Sequence, residues 1–230
     1  NASSTTIVVD VSRSVTANFI EIDAVSIPMG SGTPMDLYGI WANSTSDIIA
    51  VGENQTVLQN DGTGWTSAFS GFTSELEDVW SISASDAFTV GGFGSIDSVL
   101  HYDGATWSNV ITSNSSPLRG VWGASASDYF AVGQSGTILR YDGTTWSAMT
   151  SGTTEALIGV WGESSSNVIA VGNNGTILNY NGTAWSPMSS GITATPNGVW
   201  GNSATDVFAV GTTGTILHYD CSTWSPMTSG

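Results

Sequence analysis

Residues 118–152 read LRGVWGASASDYFAVGQSGTILRYDGTTWSAMTSG. The stretch contains four short β-like runs, near 119–122, 129–132, 137–141 and 145–149, with turn residues between them. Asp142-Gly143 is a hairpin signal between the third and fourth runs, because such turns need backbone that glycine adopts freely. Residues 133–136 turn the second run into the third. Ser127-Asp128 closes the loop before the second run, where an Asp can accept backbone N–H groups.

The same pattern recurs on both sides. Trp41, Trp80, Trp122, Trp161 and Trp200 lie 39, 42, 39 and 39 residues apart. A second series, Trp65, Trp107, Trp146, Trp185 and Trp224, has spacings of 42, 39, 39 and 39, and the two series use all 10 tryptophans. The three extra residues fall in 92–98, where GFGSIDS replaces a short turn such as Gln134-Ser135-Gly136. Four antiparallel strands in each unit of about 39 residues predict an all-β fold, a β-propeller with one unit per blade. Blades are covered on both faces, which accounts for Phe-Ala-Val and Thr-Ile-Leu runs without clean alternation. Gly120 and Gly123 let the innermost strands converge.

The unit, GVWGxSxxDVxAVGxxGTILxYxGTxWSxM, resembles the bacterial WD40/YVTN/BNR-like propeller repeats of secreted, often multidomain proteins, over residues 24–230. That resemblance implies the fold and says little about function, since propellers host lectins, hydrolases and scaffolds alike. Asp142 to Trp146 also resembles the Asp-box of sialidase-type propellers, one residue short, and is read as structural. Residues 26–32 (SIPMGSG) align with 185–191 (WSPMSSG), so the repeat is entered at a fourth strand. Residues 1–23 have two readings. They form a degenerate blade, with TIVVDV and ANFIEID as two strands and 25–29 as a third. Alternatively TTIVVDVSRSVTANF resembles the end of a B-repeat-like module of bacterial surface proteins. The expected organisation is therefore N-terminal strands over 1–23 and a propeller over 24–230. Its five full repeats plus a partial N-terminal blade favour six blades, with five as the alternative.

Charged residues make up only 10% of the 230, against about a quarter in an average domain. There is no Lys, the only cations are Arg13, Arg119 and Arg140, and the net charge is −16. This argues against nucleic acid and anionic membrane surfaces as partners. No apolar run approaches the roughly 18 residues of a membrane-inserted helix. Cys221 is the single cysteine, so no internal disulfide and no thiolate metal site is expected.

Chemistry is sparse. A sialidase-type glycosidase needs an Arg cluster, a Tyr nucleophile and acids, and three scattered Arg do not supply it. Glu75, Glu77 and Asp78 are the densest acidic patch, read as a solvated loop, with calcium as the sharper alternative. His101 and His218 occupy one equivalent position in units two and five, which are not neighbours, so no metal site and no cofactor are expected. Two recurrent series, Asp47, Asp86, Asp128, Asn167, Asp206 and Asp61, Asp103, Asp142, Asn181, Asp220, interchange Asp and Asn and read as turn formers. The tryptophans read as packing between blades.

Positions that vary on a fixed frame are the candidates for contact. The third strand offers Gln59, His101, Arg140, Asn179 and His218, and a position before the first Trp offers Tyr38, Glu77, Arg119, Ile158 and Asn197. N-x-S/T sequons begin at Asn1, Asn43, Asn54, Asn114, Asn174 and Asn181, which makes the last five candidate glycosylation sites. The expectation is a secreted or cell-surface, non-enzymatic binding or structural module. Its partners would be other proteins of an extracellular assembly, or glycans. The alternatives are a lectin with sites on the blade loops and a degenerate sialidase-like hydrolase.

Overall fold

The computed structural model describes residues 4–10, 13–18, 30–69, 74–94, 96–110 and 116–228. The chain divides into two compact units, Asn1–Gly30 and Ser31–Gly230. In the first, Ser4–Asp10 pairs antiparallel with Arg13–Asn18. The third strand expected at 25–29 lies outside the described residues. The second unit carries the five repeats, each folded as a four-stranded antiparallel sheet in 1-2-3-4 order, as a propeller blade requires. Among the described residues there are five such sheets and the one two-stranded sheet.

The third blade shows how sequence sets the strands. Leu118–Ser125 pairs with Asp128–Gly133, which pairs with Ile138–Tyr141, which pairs with Trp146–Met149. The first turn is closed by hydroxyls: the Ser127 N–H donates to Ser125 Oγ at 3.4 Å, and Ser46, Ser85 and Thr205 repeat the bond to Ser44, Ser83 and Ser203. The second turn, Gln134–Gly136, places Ser135 at φ 55°; Asn54, Asn174 and Thr213 share that left-handed geometry. In the third turn, Asp142 Oδ1 accepts N–H groups from Thr144 and Thr145 at 2.9 and 2.8 Å. Asp103, Asn181 and Asp220 do the same in their blades. Gly143 follows at φ 92°, and in the fifth blade Cys221 occupies that place at φ 79°. In the second blade, Gly92 and Phe93 pair with Asp97 and Ile96 and prolong the hairpin, and Phe93 and Ile96 are exposed.

Consecutive blades pack through their first strands. The joint between the third and fourth is apolar and tight. A Cβ on Gly162 would lie 2.7 Å from the Trp122 ring, and one on Gly120 would lie 2.9 Å from the Ile158 carbonyl oxygen. Farther out, Trp185 meets Phe130 edge-on at 6.1 Å. Phe130, Ile138, Leu157, Val171 and Ile177 are fully buried there. Each such side chain contributes about 1.5–3 kcal/mol of apolar burial.

Candidate functional site

The third-strand candidates are placed by register. Gln59, His101, Arg140, Asn179 and His218 each stand directly opposite a second-strand residue: Ile49, Phe88, Phe130, Ile169 and Phe208. Aromatic partners go with His or Arg, and aliphatic partners with an amide. The rings of His101 and His218 stack on Phe88 and Phe208 at 4.3 and 4.5 Å, and the Arg140 guanidinium lies 5.3 Å from the Phe130 centroid. Four of the five also reach the acid or amide that opens the second strand. His101 meets Asp86 and His218 meets Asp206, both at 2.8 Å, and the Asn179 amide donates to Asn167 at 3.1 Å. Arg140 donates twice to Asp128, at 2.8 and 3.0 Å, and once to Tyr180 of the next blade at 3.2 Å. The Asp128 carboxylate holds the guanidinium above its ordinary value. Bonds from Asn202 and His218 hold the Asp206 carboxyl below the usual range. The series Asp86, Asp128, Asn167 and Asp206 therefore forms cross-strand clasps, where turn capping was expected. Turn capping belongs to the other series, whose Asp61, Asp103, Asp142 and Asp220 carboxyls are lowered by the N–H and hydroxyl groups they accept, Asp220 to about 2.

The acidic patch is not the expected solvated loop. Glu77 and Asp78 belong to the strand Leu76–Ser83. Glu77 pairs with Arg119 of the third blade. Asp78 stands where the first, third, fourth and fifth blades have Gly39, Gly120, Gly159 and Gly198. Its carboxyl accepts the Val79 and Val121 N–H groups, both at 2.9 Å, the second across the joint. Desolvation outweighs those bonds and pushes it up to about 7. Among the described residues no group of three His, Cys, Asp or Glu is arranged to hold a metal ion.

One hollow was not foreseen. A shallow depression of about 690 Å³ lies at the ends of the first strands, floored by Trp80, Trp122, Trp161 and Trp200 and rimmed by Glu163 and Asn202. Trp80 donates its Nε1–H to the Gly123 carbonyl at 3.0 Å, which fixes that ring across a joint. Trp122 and Trp161 are buried except at their edges, and Trp200 is exposed. Glu163 Oε1 accepts the Ala204 N–H at 3.0 Å, which ties the rim of the fourth blade to the fifth. The signal for this hollow was in the repeat. The residue after each first-series Trp is small (Ala42, Ser81, Gly123, Gly162, Gly201), so the Trp80, Trp122 and Trp161 rings can reach the Gly123, Gly162 and Gly201 of the next blade and collect near one end.

The sequons also sort by geometry. Asn43 donates its amide to Asp47 and Ser81, Asn54 to Met35 Sδ and Asn174 to Glu155. Asn181 is exposed and uses its oxygen in the turn. Asn1 and Asn114 lie outside the described residues.

No protein-family model matches the sequence, and neither does any curated protein. Solved structures do share its fold. YCF48 from Cyanidioschyzon merolae is similar with a TM-score of 0.63 and 18% identity, over 86% of this chain and 74% of that one. A structure of YCF48 bound to D1 peptide is similar with a TM-score of 0.64 and 17% identity, over 84% and 69%. The RRP9 WD40 repeats are similar with a TM-score of 0.69 and 8% identity, over 85% and 63%.

Proposed function

We propose that this chain is a non-enzymatic protein-binding module that receives an extended peptide segment of a partner in the tryptophan-floored hollow. The observation that carries the reading is the hollow itself: an aromatic floor, in which Trp80, Trp122 and Trp161 are held against the next blade, and a rim with one carboxylate and one amide. Aromatic anchors with a few polar groups at the edge are the composition of binding hot spots. The peptide in one YCF48 structure supports the same use of the fold. The clasped His and Arg residues serve the frame in this reading, which leaves the rim to choose the ligand.

The setting we propose is extracellular, in a secreted or surface-borne assembly. The Lys-free, acidic, Ser/Thr-rich composition and the likeness of the repeat to secreted bacterial propellers support it. Fractionation of the native source checks it, and recovery of the protein from cytoplasm alone would reject it.

The binding test is selection of a phage-displayed random peptide library on the immobilised protein, followed by calorimetry of the enriched peptides. Combining Glu163→Ala with Asn202→Ala should weaken binding about tenfold or more, roughly 1.4 kcal/mol, while Gln59→Ala leaves it unchanged. Equal binding by the rim variant sinks the proposal. Glycans are the second reading, favoured by a pocket of about 330 Å³ lined by Tyr219, Trp224, Ser222 and Thr223. Glycan-array binding lost on Tyr219→Ala would select it.

A further inference from the structure

The indole N–H groups of the tryptophans are not all used alike. Among the described residues, Trp41 donates to Asn43 Oδ1 at 3.3 Å and Trp80 to the Gly123 carbonyl at 3.0 Å. Trp107, Trp146, Trp185 and Trp224 carry their N–H groups sealed from solvent and without an acceptor. Trp122 and Trp161 belong to neither group. Their rings are packed in the third and fourth joints, only 4% and 7% exposed, and a Cβ on Gly162 or Gly201 would touch them at 2.7 and 2.8 Å. Their N–H groups make no hydrogen bond within the protein, yet they are not sealed, and both residues line the hollow. The group that the second joint spends on the next blade is thus left over at the third and again at the fourth.

The rim has the opposite character. Glu163 gives Oε1 to the Ala204 N–H and keeps Oε2. Asn202 gives its amide N–H to Asp206 at 2.9 Å and keeps its carbonyl oxygen. The floor therefore donates and the rim accepts. A ligand that fits must turn acceptors down to the indoles and donors up to the rim. A carboxylate or phosphate would meet the indoles but would set its charge against Glu163, in a chain whose net charge is −16. An extended peptide alternates C=O and N–H along its length and supplies both kinds of group. A basic side chain adds the charge-assisted bond that Glu163 invites.

Resting on the peptide-binding reading above, we propose that the hollow takes a basic, extended segment whose backbone carbonyls accept the Trp122 and Trp161 N–H groups while an Arg or Lys side chain pairs with Glu163. Trp122 and Trp161 hold one position in consecutive blades, so the segment crosses from the third blade to the fourth. The two donors are pre-organised. Each sits on a ring that its glycine neighbour holds in place, so a ligand loses no affinity to ordering them. Specificity then divides between the two levels. The indoles read the backbone, which every peptide has, and the rim carboxylate reads the side chain.

The test is nuclear magnetic resonance of the whole isotope-labelled chain, read at its indole N–H signals. In the free protein, the Trp122 and Trp161 signals should exchange with water at least about tenfold faster than those of Trp107, Trp146, Trp185 and Trp224. Equal protection overturns the inference. The probe is the blocked peptide acetyl-Gly-Arg-Gly-Arg-Gly-amide, added to about 5 mM. It should shift the Trp122 and Trp161 signals saturably and slow their exchange. Glu163→Gln, a change on an exposed rim side chain, should weaken the probe roughly two- to fivefold, and the same peptide with Glu in place of Arg should not bind. Equal binding by that variant or by the Glu peptide overturns the assignment of a basic segment. Shifts confined to the rim, with both indole signals unmoved, overturn the inference and leave the binding reading standing. No shift at rim or floor overturns both. If methyl α-mannoside moves the two signals and the peptide does not, the floor belongs to a sugar and the inference fails.

Discussion

The second and third joints of the propeller are built on one frame and filled differently. At the third joint, between blades three and four, Gly120 lets the Ile158 carbonyl approach and Trp122 fills the space beside Gly162. At the second, between blades two and three, Asp78 replaces the glycine and bonds the Val121 N–H, Glu77 pairs with Arg119, and Trp80 donates to a carbonyl. The first solution depends on the absence of side-chain volume and the second on paired polar groups. A repeat frame thus accepts a buried acid wherever the neighbouring strand offers an N–H to meet it, at the cost of making that joint sensitive to protons.

The largest test breaks the glycine joint. Gly162→Val would press a branched side chain against the Trp122 ring and the Asn167 carbonyl, and should cost about 3 kcal/mol in urea unfolding. The next isolates the acid. Asp78 sits at about 7 in the folded protein against an ordinary 3.8, so the folded state holds its proton more tightly and stability falls as pH rises from about 4 to 7. Asp78→Asn should remove that part of the slope, on the order of 3 kcal/mol across the window, in urea melts at a series of pH values. An unchanged slope would put the carboxyl in water. Third, Arg140→Met removes the polar strut that reaches Tyr180 across the apolar joint and should cost about 1 kcal/mol. Arg119→Met, at a pair with a well-exposed guanidinium, should cost less than about 1 kcal/mol. Away from both joints, Cys221→Gly should raise stability by about 0.5 kcal/mol, because glycine relieves the left-handed backbone at the hairpin tip.

The contrast also separates what was legible in the sequence from what was not. The tryptophan spacing and the Asp-Gly turns fixed the blades to within a few residues, because strand period and turn chemistry are local. Asp142 caps its turn as read, since its partners are two and three residues away. Asp128 was read the same way and instead grips Arg140, twelve residues on, a partner that only the strand register brings close. The register was present in the text as a covariation, Phe with His or Arg and Ile with Gln or Asn, but recognising it requires aligning two strands. Glu77 and Asp78 looked like a solvated run because adjacent charges suggest a loop; they lie on a strand whose register shifts between Leu76 and Asp78, and both reach the third blade, one at Arg119 and one at the Val121 N–H. The hollow was illegible for a related reason: it is made by four blades at once, and no single unit contains it.

The hairpin tips also bear on how the molecule ages. Asn181-Gly182 and Asn174-Gly175 are Asn-Gly pairs, the dipeptide most prone to spontaneous deamidation. At the first, conversion to Asp reproduces the residue that the other four blades carry there, and the turn keeps the oxygen that accepts its two N–H groups. At the second, the amide that donates to Glu155 at 3.0 Å would become a carboxylate facing a carboxylate. The Asp product of the same chemical lesion is therefore silent in one loop of the fourth blade and disruptive in the loop beside it.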